Sequence, residues 1–124
     1  MKGWLSLRFK SFRYAGNGLV TLVASQPNAQ IHVFATLLVV ALGLHLGISA
    51  QDWVVLVLTI ALVMAMEALN TSLEFICDAL HPHHHPLIGK AKDVAAAAVL
   101  ISAITAALVG GLIFFPALVE RYLI

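Results

Sequence analysis

The stretch from Trp53 to Asp78, WVVLVLTIALVMAMEALNTSLEFICD, decides the fold. Its first half runs to Met66 without a charged residue, and its second half carries Glu67, Asn70, Glu74 and Asp78. At ~1.5 Å per residue, about 20 helical residues cross the hydrocarbon core of a bilayer. Trp53–Cys77 is therefore long enough to span it. The polar positions fall at i, i+3, i+7 and i+11, and at ~100° per residue they lie within about 80° of one helix face. An acid at mid-bilayer costs roughly 3 kcal/mol even on the lenient insertion scale. Such a stripe calls for a metal ion, a cation, a proton path or water. The alternative is that the acids are protonated or bond to neighbouring helices as packing glue, with Asp78 simply solvated at the helix end.

On either side the charges stay away. No Asp, Glu, Lys or Arg occurs from Tyr14 to Gln51 or from Val94 to Val119. Three spans are expected, at 31–49, 53–77 and 94–119. The composition agrees: of 124 residues, 61% are hydrophobic and 10% charged, and the mean hydropathy is +0.98. Soluble domains hold nearer ~25% charged residues. A chain this short cannot hide so much apolar surface inside itself, so the excess faces lipid. The net charge of +1 gives no bulk attraction for nucleic acid. A single cysteine, Cys77, excludes an intrachain disulfide and a CxxC site.

Residues 1–27 differ. Lys2, Arg8, Lys10 and Arg13 alternate with Trp4, Leu5, Phe9, Phe12 and Leu19, which predicts a basic amphipathic helix on the membrane surface. Gly16 and Gly18 are expected to loosen it, and Gln26-Pro27-Asn28 to end it. A signal peptide is the competing reading. The basic region reaches Arg13 and no early cleavage site follows a clean apolar run, which favours the surface helix. Basic residues place the N-terminus and the 77–92 loop in the cytoplasm and the C-terminus outside, since only Arg121 lies on the far side.

Gly89-Lys90-Ala91-Lys92-Asp93 is expected to open the third span on the same side as Glu74 and Asp78. A glycine, two lysines and the free N–H groups of a helix start would cradle a polyphosphate. The plainer alternative is a pair of flanking lysines with Asp93 as a capping acid. Together, metal-binding acids and a phosphate cradle at a membrane interface suggest phosphoryl transfer. Neither a GxxxxGK[ST] loop nor the protein-kinase motif set is present.

At these residues the chain resembles a known family. Glu67-Ala68-Leu69-Asn70-Thr71-Ser72-Leu73-Glu74, Asp78, and Gly89-Lys90-Ala91-Lys92-Asp93-Val94 with the alanines that follow are similar to the signature of the small prokaryotic integral-membrane diacylglycerol kinases and their undecaprenol kinase relatives. Ser11-Phe12-Arg13-Tyr14-Ala15 and Asn28-Ala29-Gln30-Ile31-His32 extend the similarity over nearly the whole chain. The resemblance implies an all-α membrane protein, a surface helix plus three spans, assembled as a homotrimer with sites shared between protomers. It implies a lipid kinase that uses ATP and Mg²⁺ at the bacterial cytoplasmic membrane. By motif, Glu67 would be the general base and a further metal ligand, Asn70 would orient the site, and Glu74 would hold metal. Lys92 would touch the transferred phosphate, with Gly89 beside the phosphates. Asp93, Asp78, His85 and Tyr14 would lie at the nucleotide. The family's metal-binding glutamate before the first span is Gln26 here, an uncharged oxygen donor that would weaken one side of the metal site or remove one ion.

Other residues carry less. His81, His83, His84 and His85 lack a cysteine or acid spaced to complete a tetrahedral site, and the two prolines around them suit a hydrated loop. His32 serves equally as an interfacial cap, a lipid-head contact or a catalytic group, and His45 suits the outer interface. Span three is rich in Ala and Gly, which fits close helix packing inside an assembly. Trp4, Trp53 and Tyr122 suit interfacial belts. The acceptor would be diacylglycerol, giving phosphatidate, or undecaprenol, whose branch the short N-terminal region and Ile31-His32 resemble. Two other classes remain. An ion or proton carrier would use the acidic stripe but has no need of the lysine cluster, and an inactive scaffold homologue is favoured by Gln26 alone.

Overall fold

A computed structural model describes residues 1–124, apart from the side chain of Lys2; its part in the expected basic face lies outside the described residues. Four helices follow in order: α1 Lys2–Ser25, α2 Pro27–Leu46, α3 Ala50–Leu80 and α4 Pro86–Tyr122. Each boundary has a local cause. Gln26 is extended (φ −113°, ψ 110°) because it precedes Pro27, and Pro27 takes the first helical position of α2, where its missing N–H costs nothing. Gln30 Nε2 donates to Val23 O at 3.0 Å across this corner. α2 ends at Gly47, which is left-handed (φ 66°), a conformation glycine adopts without a Cβ clash. Ser49 Oγ then accepts from Asp52 N–H at 3.1 Å and donates to Asp52 Oδ2 at 2.7 Å, so Ser49 caps α3 rather than closing the first span.

Three of the helices are long and apolar enough to cross a membrane. α3 and α4, at 31 and 37 residues, reach about 46 Å and about 55 Å at a 1.5 Å rise. Both exceed a ~30 Å hydrocarbon core, so their ends stand outside it. Between 11% and 22% of the most apolar window of each is buried within the chain. The remaining apolar surface has to meet lipid or other protein, and the chain is a multi-pass membrane protein.

α3 and α4 make the most extensive pairing, while α2 packs on both and α1 touches α2 and α3. The apolar core sits at one end: Leu56, Ile113 and Phe114 are buried there, with Leu42, Trp53 and Val109 packed around them. His45 Nε2 and Tyr122 Oη, 2.8 Å apart, tie α2 to α4 at that end. The other end holds the acidic stripe of α3. α1 runs unbroken through Gly16 and Gly18, against the expectation that they loosen it. Two isolated glycines cost a helix roughly 1 kcal/mol each, too little to interrupt one held at its far end by buried Leu22.

A Cβ on Gly43 would lie 3.0 Å from the Trp53 ring and 3.1 Å from Ile48 Cδ1. Gly43→Ala should therefore lower the stability of detergent-solubilised protein by about 1–3 kcal/mol through overpacking. Gly16→Ala, which meets nothing within 4 Å, should leave stability level or raise it. Thermal unfolding followed by circular dichroism checks both.

Candidate active site

Burial grades the stripe along α3. Glu67 is 1% exposed and Asn70 9%, Glu74 is half-buried, and Asp78 is exposed near the helix end. One helix face thus leads from a sealed carboxylate to an open one. Asn70 Nδ2 points to Glu74 Oε1 at 3.5 Å, at the outer limit of a hydrogen bond. Three buried oxygens within this turn, Glu67 Oε1, Asn70 Oδ1 and Thr71 Oγ1, find no hydrogen-bond partner within the chain. An unmet buried acceptor costs ~1–3 kcal/mol, so these oxygens are the costly polar atoms of α3.

The nearest basic group to Glu67 comes from another helix. His32 Nε2, in the second turn of α2, lies 3.3 Å from Glu67 Oε1, within ion-pair range but off hydrogen-bond alignment. Sequence spacing does not pair residues on different helices, and by sequence His32 serves equally in an interfacial or a catalytic role. The only advance signal was a histidine at the start of an otherwise uncharged span.

Lys92 lies across the α3–α4 turn, its Nζ 2.6 Å from Asp78 Oδ1. This is the second turn of α4, at the end of a 37-residue helix longer than the hydrocarbon core. The Asp78 hydrogen bond, and more weakly the charge of Glu74, hold the Lys92 ammonium above its ordinary value. Lys92 thus belongs to the open end of the stripe, while Asp93 and Lys90 are exposed.

The expected cradle of free N–H groups at Gly89 is corrected by the helix boundary. α4 begins at Pro86, a turn earlier, with His85 as its cap. His85 Nδ1 accepts from Leu87 N–H at 3.2 Å, His85 O accepts from Gly89 N–H, and Pro86 has no N–H to offer. Gly89 through Asp93 therefore stand inside α4, and Asp93 does not cap it. The physical reason is the fixed φ of Pro86, which starts the helix as soon as the loop ends. His85 also packs edge-on against His81, ring centroids 5.1 Å apart. Among the described residues, no three His, Cys, Asp or Glu side chains gather as a metal site. Gln26 donates to Ser25 Oγ at 3.2 Å, and Tyr14 is exposed on α1.

Residues 13–114 match the profile of the family described as prokaryotic diacylglycerol kinase. The chain belongs to that family. It is a lipid kinase of the diacylglycerol kinase type. It is similar to the undecaprenol kinase of Bacillus subtilis (strain 168), 37% identical over 89% of both chains. It is similar to the diacylglycerol kinase of Synechocystis sp. (strain ATCC 27184 / PCC 6803 / Kazusa), 43% identical over 89% of this chain but 63% of that relative. The diacylglycerol kinase of Escherichia coli (strain K12) is 34% identical over 78% of this chain and 80% of its own.

Asp78→Asn removes the strongest hydrogen bond to Lys92. The Lys92 pKa should then fall back toward 10.5, read by ¹⁵N NMR titration of the Lys92 side chain in micelles. With Asp78 in place the same titration should turn at higher pH.

Proposed function

We propose that this lipid kinase moves the γ-phosphoryl group of ATP to the hydroxyl of a membrane lipid, diacylglycerol first, with Glu67 as general base. The observation that carries the assignment is the buried, incompletely partnered Glu67–Asn70–Thr71 turn at one end of an otherwise apolar bundle, continuous along α3 with Glu74, Asp78 and the lysine facing them. The lipid O–H bond breaks as its proton passes to the Glu67 carboxylate. The lipid oxygen then bonds to the γ-phosphorus, and the bridging Pγ–O bond breaks with its electron pair leaving on ADP. A sealed carboxylate suits this role because water does not compete for its lone pairs.

Residues 1–124 act as one membrane-embedded unit. α1 lies on the bilayer surface by its exposed Trp4, Phe9 and Phe12 beside Arg8 and Arg13. The N-terminus and the 81–85 loop face the cytoplasm, where ATP is found. Asp78, His85, Gly89, Asp93 and Tyr14 serve the nucleotide, and Lys92 leaves Asp78 for the transferred phosphate. Mg²⁺ fits Glu74, with Asn70 Oδ1 and Gln26 as uncharged hard oxygen donors; it takes few protein ligands and completes its shell with phosphates and water. When bound it neutralises phosphate charge. The assembly that the family resemblance implies is a homotrimer with shared sites in the cytoplasmic membrane. Undecaprenol is the second acceptor to test, because the match to an undecaprenol kinase covers 89% of both chains.

Purified protein in mixed micelles, given labelled ATP, Mg²⁺ and each lipid in turn, should label diacylglycerol. Label only in the undecaprenol product would reassign the acceptor, and label in neither would overturn the proposal. Glu67→Gln should reduce turnover by at least about 10³-fold while nucleotide binding persists. Appreciable turnover by that variant would remove Glu67 from the role. Gln26→Glu should lower the Mg²⁺ concentration needed for half-maximal rate, and superimposable metal titrations would count against a metal role for position 26.

A further inference from the structure

We infer that His32 is the positioning residue for the catalytic carboxylate: its Nε2 anchors Glu67 Oε1 and so reserves Oε2 for the substrate proton. The inference rests on the reading of Glu67 as general base. Among the described residues, His32 is the one basic side chain within 4.0 Å of Glu67. The Glu67 side chain is 2% exposed and that of His32 21%. His32 is thus the more open partner of the pair.

The backbone that carries His32 is fixed. Ala29, one turn earlier on α2, is fully buried, Gln30 bonds to Val23 O across the α1–α2 corner, and Thr36 Oγ1 donates to His32 O at 2.8 Å. The imidazole therefore approaches Glu67 from a rigid base. His32 also lines a cleft of about 320 Å³ between α2, α3 and α4, whose remaining wall includes Thr36, Val39, Thr59, Val63 and Ala103. That wall is apolar apart from two threonine hydroxyls, and Thr59 already donates its own to Val55 O at 2.7 Å. His32 thus stands where an apolar cleft meets the buried acid.

A carboxylate has two equivalent oxygens and rotates about its last torsion. A base that must receive a proton along one line gains from having the other oxygen held. The Nε2–H tautomer of a neutral imidazole does this with no full charge brought into the membrane. A lysine in its place would bring a full positive charge into the apolar bundle. The 3.3 Å separation becomes a hydrogen bond with a small rotation of either group, a tightening common when substrate arrives.

The test uses the full-length protein in mixed micelles, with four variants at position 32. His32→Gln places an amide N–H where Nε2 stood, and His32→Asn places it where Nδ1 stood. His32→Leu and His32→Phe keep bulk without a donor. We expect kcat to fall about 10²-fold for Leu, Phe and Asn and to recover most of the way for Gln, with KM for ATP unchanged in all four. A wild-type protein that labels no lipid would remove the Glu67 reading and the inference with it. An active wild type whose His32→Phe variant keeps its kcat would overturn the inference alone. So would equal losses in Gln and Phe, or a loss that appears in KM for ATP with kcat intact, since those patterns mean packing rather than a donor at Nε2.

Discussion

A carboxylic acid closed off from solvent inside a bundle of apolar helices is the constraint around which this molecule is arranged. Glu67 is almost wholly buried, and an ionised carboxylate in such surroundings is tolerated only with partners. The chain supplies one, an imidazole at 3.3 Å that is not yet in hydrogen-bond alignment. It leaves the carboxylate's second neighbour, Asn70, with an unmet carbonyl oxygen. A stable resting protein would satisfy these atoms internally or replace them with leucine. Keeping them polar and half-met has a physical sense when part of the bonding is completed by a ligand.

The distribution of packing follows from the same constraint. The apolar core of Leu56, Ile113 and Phe114 occupies the end of the bundle away from Glu67, and the tight seat of Gly43 under the Trp53 ring is there too. The bundle is cemented at that end by apolar contact and by the Ser49 cap. At the other end α1 turns back at Gln26-Pro27, and the charges gather. Apolar packing and the polar stripe are therefore separated along the helix axes. α3 is common to both ends, and its 31 residues are what such a division of labour requires.

Much of this was legible in the sequence. The uncharged runs from Tyr14 to Gln51 and from Val94 to Val119 read as apolar helices, because a continuous apolar run without a barrel strand's alternation satisfies its backbone in lipid only within its own helix. The face shared by Glu67, Asn70, Glu74 and Asp78 follows from helical periodicity alone. The Lys92–Asp78 pair was half legible, since both residues flank one short turn. Contacts between distant segments were not legible: His32 with Glu67 and His45 with Tyr122 depend on how helices pack, which periodicity leaves free. The start of α4 was misplaced for a different reason. The lysines and the charge boundary drew the expected helix start to Gly89, whereas backbone geometry is set by Pro86 and the cap at His85. Charge marks where a helix enters lipid; it does not mark where the helix begins.

That distinction changes how the lysine cluster works. Had Gly89 opened the helix, backbone N–H groups would have formed a fixed anion site, and the lysines would have been auxiliary. With α4 already under way, those N–H groups are engaged in the helix or by His85. Anion recognition at this end then falls to side chains, which move. Lys92 is half-buried and already bonded to Asp78, so an anion that reaches it takes the ammonium in competition with a carboxylate. Such an exchange nearly conserves charge pairing: one anion replaces another at the same cation, and Asp78 is released to water, where its solvation cost is small.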